Sequence, residues 1–373
     1  MRAFVFTDKA LERYAGRFVW LSVDTENSAN ADFLKKYPIN VWPTLLVIDP
    51  SKERVALRYA GGATVGQLSK LLDQAQSKTK SPSDDALARA DRLANEGKNE
   101  EAAKEYERAI VGAPKVWDPL GRAAEGLIMA LMLTRQHERC AVRADELYPR
   151  LRGTLSGANV AAYGLGCAAD LPTDNKSRGA LLESLEKATR ASLDDPKIDL
   201  SGDDRSGLHE SLMEARKAVK DAEGAKREAE KWAAFLEGQA AKAKTAEQRA
   251  VYDSHRMSAY MELGTPEKAV PMLEQSERDF PRDYNPPARL GTIYRLMKKY
   301  DESLAAYDRA LKLAYGPRKI GILRGRADTL LAKGDKEAAR QTLRDAIAYA
   351  KSLPSGQVSE RTIGALEKKL ETM

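Results

Sequence analysis

Two cysteines and three histidines are the side chains of this chain best suited to redox or metal chemistry. Cys140 and Cys167 stand far apart in Ala-rich or Leu-rich surroundings and form neither a CxxC pair nor a metal-ligand spacing. His137, His209 and His255 are scattered singly and pair with no cysteine in a zinc pattern. We therefore expect buried free thiols, with a disulfide between the two cysteines left open, and no metal or other cofactor.

Sequence motifs for nucleotide, nucleophilic or cation chemistry are missing as well. The chain has no P-loop, no GxGxxG between a strand and a helix, and no Ser-His-Asp arrangement that sequence alone supports. Asp194-Asp195 and Asp203-Asp204 are acidic pairs, but no ligand spacing extends them, so helix capping is their expected role. No catalytic residue is predicted in this chain, and whether the whole protein is an enzyme stays open.

Charge is abundant but evenly mixed along the chain. The 373 residues include 61 Lys or Arg and 55 Asp or Glu, which gives a net charge of +6. The two signs interleave, as from Glu223 to Lys231, without the basic runs typical of a nucleic-acid-binding tail. No apolar stretch reaches the roughly 18 residues that span a bilayer. Because Met1 leads directly into folded-looking sequence without a signal peptide, the expected location of the chain as it stands is the cytoplasm.

An internal repeat organises the C-terminal part of the chain. Small and aromatic residues recur at equivalent positions in four segments, three of them spaced by roughly 34 to 36 residues. The recurring positions, segment by segment, are Ala90, Leu93, Gly97, Ala102, Tyr106, Ala109 and Pro114; Met257, Tyr260, Gly264, Ala269, Leu273 and Pro281; Leu290, Gly291, Tyr294, Tyr300, Ser303, Tyr307, Ala310 and Pro317; and Ala327, Leu330, Gly334, Ala339, Leu343 and Ala346.

A helical hairpin explains this spacing. Small residues such as Gly291 and Ala339 let two helices approach closely, and large residues such as Tyr307 fill the adjacent layer. Each hairpin leaves an apolar face that only a neighbouring hairpin covers, so the units stack into a solenoid. The pattern resembles the tetratricopeptide-repeat family, which implies an all-α solenoid that binds a protein or peptide partner.

The domain plan that follows has six parts. They are an α/β domain at residues 1–78, a polar linker at 79–83, a first repeat unit at 84–117, degenerate helical repeats at 118–249, three repeat units at 250–353 and a capping helix at 354–373.

The resemblance also implies a binding face. Tetratricopeptide solenoids bind extended peptides on the concave surface, which is lined by the first helix of each unit. The arginines of that surface would pair with an acidic peptide or a terminal carboxylate, while the alternative is a merely solvated helix face. The residues expected there are Ser254, Ser258, Arg289, Thr292, Arg295, Arg324 and Asp328.

The first 78 residues follow another pattern. Runs of β-branched and aromatic residues at 18–23, 44–48 and 54–59 predict three strands. Helices are predicted for Met1 to Phe6, for Ala29 to Tyr37 and after Thr64, whose side chain would cap the last one. The expected order is helix, strand, helix, strand, strand, helix.

This order resembles the thioredoxin fold over about residues 1–76. Val23-Asp24 stands where a strand of that fold ends, and a Pro-Thr pair at Pro43 opens the next strand. The resemblance implies a cis peptide bond at Pro43 and a substrate groove lined by Trp42 and Pro43. A core tryptophan beside a structural proline is the alternative for these two residues.

The CxxC that gives the thioredoxin family its redox chemistry is missing from this sequence. By the resemblance, it and the strand before it would lie upstream of Met1. Two explanations are open. A redox-inactive thioredoxin-like domain joined to the solenoid would make the chain a protein-interaction scaffold. Alternatively, the chain is a truncated extracytoplasmic thiol–disulfide oxidoreductase, whose location would be the periplasm or another extracytoplasmic compartment.

Overall fold

The computed structural model describes residues 1, 3–39, 41–77, 81–354 and 356–373, in two compact units. The first unit contains residues 1–18 and 38–239, and the second contains residues 19–37 and 240–373. Each unit has its own elements and core, and each is described separately.

In chain order, the helices and strands are α1 (Ala31–Lys36), β1 (Thr44–Asp49), β2 (Arg54–Ala60), α2 (Val65–Gln76), α3 (Pro82–Asn95), α4 (Asn99–Val111), α5 (Leu120–Leu133), α6 (His137–Leu151), α7 (Leu155–Ala169), α8 (Arg178–Asp194), α9 (Gly202–Ala218), α10 (Ala222–Lys242), α11 (Ala246–Ala250), α12 (Asp253–Glu262), α13 (Ala269–Asp279), α14 (Asn285–Leu296), α15 (Tyr300–Leu313), α16 (Arg318–Lys333), α17 (Lys336–Ser352) and α18 (Glu360–Glu371). Short 3-10 helices cover Lys9–Tyr14, Ser28–Asn30 and Pro266–Lys268.

A two-stranded antiparallel sheet begins the folded part of the first unit. Thr44 of β1 pairs with Ala60 of β2, and the register shifts between Val47 and Ile48. Leu57 of β2 packs with the apolar face of α2, and the Thr64 side chain caps α2 by accepting from the N–H of Gln67. The predicted strands at 44–48 and 54–59 and the capped helix are therefore confirmed.

The predicted strand at residues 18–23 is wrong. These residues form no strand, and Val19 and Leu21 are 88% and 76% exposed. A strand needs a partner for its backbone N–H and C=O groups; within the described residues, only β1 and β2 pair with each other. The predicted helix from Met1 to Phe6 is also wrong, since the described residues of this segment form hydrogen-bonded turns. With only two paired strands, the thioredoxin-like domain is not confirmed.

Part of the predicted linker is helical. Pro82 is the first residue of α3, and the Ser81 side chain accepts from the N–H of Asp84 while the Asp84 carboxylate accepts from the N–H of Ser81. This capping box satisfies the free N–H groups at the start of a helix, which is why the helix begins within the polar segment. The predicted linker also includes residues 79 and 80, which lie outside the described residues.

Helices α3 to α10 form the rest of the first unit. Neighbours in sequence pack together from α3 to α9, and α7 also contacts α5 and α9. The indole N–H of Trp232 on α10 donates to the Ser206 hydroxyl of α9 at 2.7 Å, which ties these two helices together inside the core. The helical character expected for residues 118–249 is confirmed.

The expectation of free thiols is wrong, because Cys140 and Cys167 form a disulfide. The two cysteines lie on α6 and α7, whose packing brings their Cα atoms to 6.0 Å, and both side chains are buried. That distance is within the range a disulfide requires. The spacing of the two residues in sequence carries no sign of this contact.

In the second unit, α14 with α15 and α16 with α17 form closely packed hairpins. The Tyr307 ring of α15 packs where a side chain on Gly291 or Gly325 would collide with it, since a Cβ at either position would come within 2.7 Å of the ring. The Ser303 hydroxyl donates to the C=O of Gly291 at 2.7 Å. The small and aromatic positions predicted from the repeat thus meet as expected. The last helix, α18, packs on α17 and buries Leu366.

Candidate functional site

The predicted binding face belongs to α12, α14 and α16 of the second unit, the first helices of three successive hairpins. Arg324 is exposed, whereas the other predicted residues are partly buried. Those partly buried residues are Ser254, Ser258, Arg289, Thr292, Arg295 and Asp328.

Arg289 lies within the electrostatic influence of carboxylates of its own unit. Burial lowers the pKa of its guanidinium, and the nearby carboxylates of Asp253 and Asp283 oppose that shift. Asp253 is almost fully buried, and the Ser276 hydroxyl donates to its carboxylate. The charge of Arg289 is therefore partly offset from within the unit.

Thr292 and Asp328 also have partners inside the unit. The Thr292 hydroxyl lies 3.0 Å from that of Tyr307, so it completes the tyrosine's position in the hairpin. The Asp328 carboxylate accepts from the Lys369 ammonium and joins α16 to α18. These two residues support the framework behind the face.

Arg295 and Arg324 differ from the others. Within the described part of the chain, neither guanidinium forms an ion pair, and the Nε of Arg295 is a buried donor without a hydrogen-bond partner. An unsatisfied buried donor costs free energy, so it favours an acceptor supplied by a ligand or by water. The geometry thus reduces the predicted cationic face to these two arginines, with Ser254 and Ser258 as polar neighbours in the sequence pattern.

Trp42 and Pro43 belong to the first unit. Their peptide bond is cis, as the resemblance implied, and the Trp42 side chain is 59% exposed. The C=O of Pro43 accepts from the N–H of Gly61 at 2.8 Å, which closes the end of the β1–β2 hairpin. An exposed tryptophan rules out the core role that was the alternative for Trp42. The groove it was expected to line stays a prediction.

A second polar site in the second unit was not foreseen from the sequence. The Tyr284 hydroxyl donates to the Glu26 carboxylate at 2.7 Å, and the Arg318 Nε donates to the same carboxylate at 2.5 Å. The Tyr315 hydroxyl donates to the Asp24 carboxylate at 2.7 Å. Three donors on the repeat helices and turns therefore hold two carboxylates from residues 19–37.

The electrostatics of these donors follow from the same contacts. The hydrogen bond to Asp24 is the main reason that the pKa of Tyr315 rises to about 12. Burial, together with Glu26, raises the pKa of Tyr284, and the hydrogen bond to Glu26 raises the pKa of Arg318. All three groups therefore stay protonated, as hydrogen-bond donors, across the physiological pH range.

A cavity of about 650 Å³ lies beside this contact. We call the cavity, together with Tyr284, Tyr315 and Arg318, the inter-repeat notch, since these residues lie at the turns that join successive hairpins. The residues lining the cavity are Asp24, Glu26, Asp279, Phe280, Pro281, Arg282, Asp283, Tyr284, Asn285 and Tyr315. The sequence signal was a tyrosine in each of two neighbouring turns, but the acidic partners lie more than 250 residues away in the chain.

No helix in residues 1, 3–39, 41–77, 81–354 or 356–373 is long and apolar enough to cross a bilayer. Over the same ranges, no three His, Cys, Asp or Glu side chains are grouped so that they could bind a metal ion.

Comparison with known proteins supports the repeat pattern. The family model of the tetratricopeptide repeat matches residues 284–352. Among solved structures, a tetratricopeptide repeat protein from Parabacteroides merdae is 11% identical, with a TM-score of 0.47 over 78% of this chain and 98% of that one. The TPR2AB domain of yeast Sti1, in its complex with pHSP90, is 15% identical, with a TM-score of 0.29 over 78% and 98%.

These structural likenesses are too distant to carry an argument about function. A comparison with curated proteins finds no match. The family model itself covers α14 to α17, and the Tyr307 ring of α15 packs against Gly291 of α14 and Gly325 of α16 within that range. Residues 284–352 therefore carry tetratricopeptide repeats, formed by the hairpins α14–α15 and α16–α17.

Proposed function

We propose that this chain is a protein-interaction scaffold whose second unit binds an acidic peptide on the face of α12, α14 and α16. The observation that supports it most is the pair Arg295 and Arg324, which lie on the first helices of two successive repeats. No described carboxylate forms an ion pair with either. A guanidinium binds a carboxylate through paired, charge-assisted hydrogen bonds, so peptide carboxylates would be the matching ligands.

The binding proposal uses only part of the predicted face. Ser254 and Ser258 remain in it as hydroxyl donors along α12. Thr292 and Asp328 are left out, since their polar groups have hydrogen-bond partners within the unit. Arg289 is left out because the carboxylates of Asp253 and Asp283 already act on its charge. Changing those three would alter the fold together with any binding, which makes them poor probes of the ligand.

A fluorescence-anisotropy titration with a labelled peptide of ten glutamates tests this proposal on the full chain. We expect Arg295→Gln with Arg324→Gln to weaken binding at least about tenfold, because two charge-assisted contacts are lost. Arg344→Gln on α17 is the matched control, since among the described residues this exposed arginine donates only to the neighbouring Gln341. Equal affinities of the double variant and the control would refute the proposed face.

The location and the domain plan are also proposals. A disulfide is typical of an oxidising compartment, so the Cys140–Cys167 bond favours the extracytoplasmic location over the cytoplasm. Non-reducing mass spectrometry of the protein from its native cells would detect free thiols if this is wrong.

We further propose that residues 118–249 continue the repeat scheme in degenerate form between the units at 84–117 and 250–353. Under this plan residues 354–373 cap the array, and limited proteolysis should spare the boundaries at 117–118, 249–250 and 353–354.

The thiol–disulfide oxidoreductase gains no support as a second function, because the thioredoxin-like fold it depends on is not confirmed. Cys140 and Cys167 are buried in a bond between two packed helices and do not supply its CxxC. On the first unit, Trp42 and Pro43 remain a candidate surface for a partner protein. The exposure of the Trp42 side chain is the one observation that supports it.

A further inference from the structure

Residues 19–37, which we call the strap, are an unusual part of the second unit. The chain leaves the first unit after Phe18, belongs to the second unit from Val19 to Tyr37, and returns to the first unit at Pro38. The strap is held through the carboxylates of Asp24 and Glu26 in the inter-repeat notch.

The strap presents its two carboxylates as a preformed turn. The Asp24 side chain accepts from the N–H of Glu26 at 2.9 Å, and the Asn30 side chain donates to the C=O of Asp24 at 2.8 Å. This local bonding directs both acidic side chains to one side of the segment. An Asp-x-Glu turn is therefore the shape and charge that the notch accepts.

The notch is shaped for a close approach of peptide backbone. Gly316, between Tyr315 and Pro317, has a φ of +55°, and a Cβ at this position would lie 2.2 Å from the backbone oxygen of Glu26. Only a glycine both adopts this conformation without strain and leaves that space open. The Tyr284 and Tyr315 rings meet edge to face at 6.3 Å, which fixes the two hydroxyl donors relative to each other.

The strap itself is weakly anchored by apolar contacts. From Val19 to Tyr37, Tyr37 is the one residue that is buried, and the apolar Val19 and Leu21 are strongly exposed. Segments that bury little apolar surface open at low free-energy cost. The polar contacts of Asp24 and Glu26 therefore contribute to holding the strap, and a competing acidic segment would meet the same donors.

We propose that the inter-repeat notch is a binding site for an acidic Asp-x-Glu segment of a partner protein, which the strap occupies in cis until the partner's segment displaces it. This site is separate from the face of α12, α14 and α16, and it stands whether or not that face binds a ligand. The strap acts as an internal competitor, since a tethered segment has an effective concentration in the millimolar range.

A labelled peptide with the sequence of residues 22–31 tests the proposal in solution. We expect it to bind the full chain carrying Asp24→Asn and Glu26→Gln at least about tenfold more tightly than the unchanged chain, because the internal competitor is weakened. A peptide with the same two substitutions should not bind either chain. Equal binding of the acidic peptide to both chains, or no binding to the double variant, would overturn the proposal.

Two further variants, made in the chain that carries Asp24→Asn and Glu26→Gln, assign the binding to the notch. Adding Tyr284→Phe and Arg318→Gln should weaken the peptide at least about tenfold, and unchanged affinity would overturn the proposal. Adding Arg295→Gln and Arg324→Gln should leave the affinity unchanged. A loss there would assign the peptide to the helix face instead, so failure of this inference and failure of the proposed function are distinguishable.

If the double variant does not fold, hydrogen exchange of the unchanged chain provides the test. Saturating acidic peptide should speed exchange of the strap amides at Glu26 and Asn30, while the amides of α15 keep their protection. Strap amides whose exchange stays the same under saturating peptide would overturn the displacement.

Discussion

Tyr106 in α4 and Tyr307 in α15 occupy equivalent positions in their repeats but have different polar partners. The Tyr106 hydroxyl donates to the buried carboxylate of Asp91 at 2.9 Å, and the Arg122 guanidinium donates to the same carboxylate. The Tyr307 hydroxyl instead lies 3.0 Å from the hydroxyl of Thr292. The hydroxyl of the tyrosine therefore bonds to a charged carboxylate in the first unit and to a neutral hydroxyl in the second.

The difference reflects what each tyrosine helps to hold. Asp91 also accepts from the backbone N–H of Arg58 at 3.2 Å, so the carboxylate attaches β2 to α3 and α4. Beside it, the Tyr59 hydroxyl donates to the Glu125 carboxylate at 2.9 Å, and burial raises the pKa of that carboxylate. The repeat pattern thus requires an aromatic ring at this position. The polar partner of its hydroxyl depends on which neighbouring segment packs beside it.

The largest expected contrast between the units comes from the disulfide, which only the first unit contains. Replacing Cys140 and Cys167 by alanine should cost about 3.5 kcal/mol of unfolding free energy, since the bond closes a loop of 27 residues. Hydrogen exchange should localise the loss to α6 and α7. Dithiothreitol should lower the unfolding free energy of the unchanged chain but not that of the alanine variant, which is the control. If dithiothreitol leaves the unchanged chain equally stable, the disulfide is contradicted.

The two tyrosines give the next contrast. Tyr106→Phe should cost about 2 kcal/mol, because it removes a donor from a buried carboxylate, whereas Tyr307→Phe should cost about 1 kcal/mol for a neutral hydrogen bond. Urea unfolding combined with hydrogen exchange at α4 and α15 measures both losses. Equal losses would mean that the ionic partner of Tyr106 adds nothing to stability.

The smallest expected effect concerns His209 on α9, also in the first unit. Burial is the main reason that its pKa falls to about 4, so the folded chain holds this side chain neutral. The unfolded chain protonates it near pH 6.5. Stability from this group is therefore complete above pH 6.5 and is lost as the pH falls from there toward 4.

Lowering the pH from 7 to 5.5 should accordingly cost the unchanged chain about 1 kcal/mol more than a His209→Leu variant. Urea unfolding of both chains at the two pH values measures this difference, and the variant accounts for the carboxylates that titrate in the same range. Parallel pH profiles of the two chains would show that the buried imidazole does not contribute. Such a result would mean that burial of His209 does not make the stability of the first unit depend on pH.

Local patterns predicted most of the solenoid. Glycines at the helix turns, such as Gly97, Gly264 and Gly334, have positive φ, and the predicted small and aromatic residues pack together. The binding face was predicted less well. Helical spacing identified Arg295 and Arg324 but could not distinguish them from Arg289, because the buried Asp253 whose charge acts on Arg289 lies on another helix.

The sequence by itself determined the repeat, its helices and their turns, because these depend on residues within one hairpin or the next. Only the tertiary structure decided that residues 18–23 form no strand, that Cys140 and Cys167 pair, and that Asp24 and Glu26 lie in the inter-repeat notch. Each of those outcomes depends on which distant segment supplies a hydrogen-bond partner or a facing side chain. Periodicity along the chain contains no information about such partners.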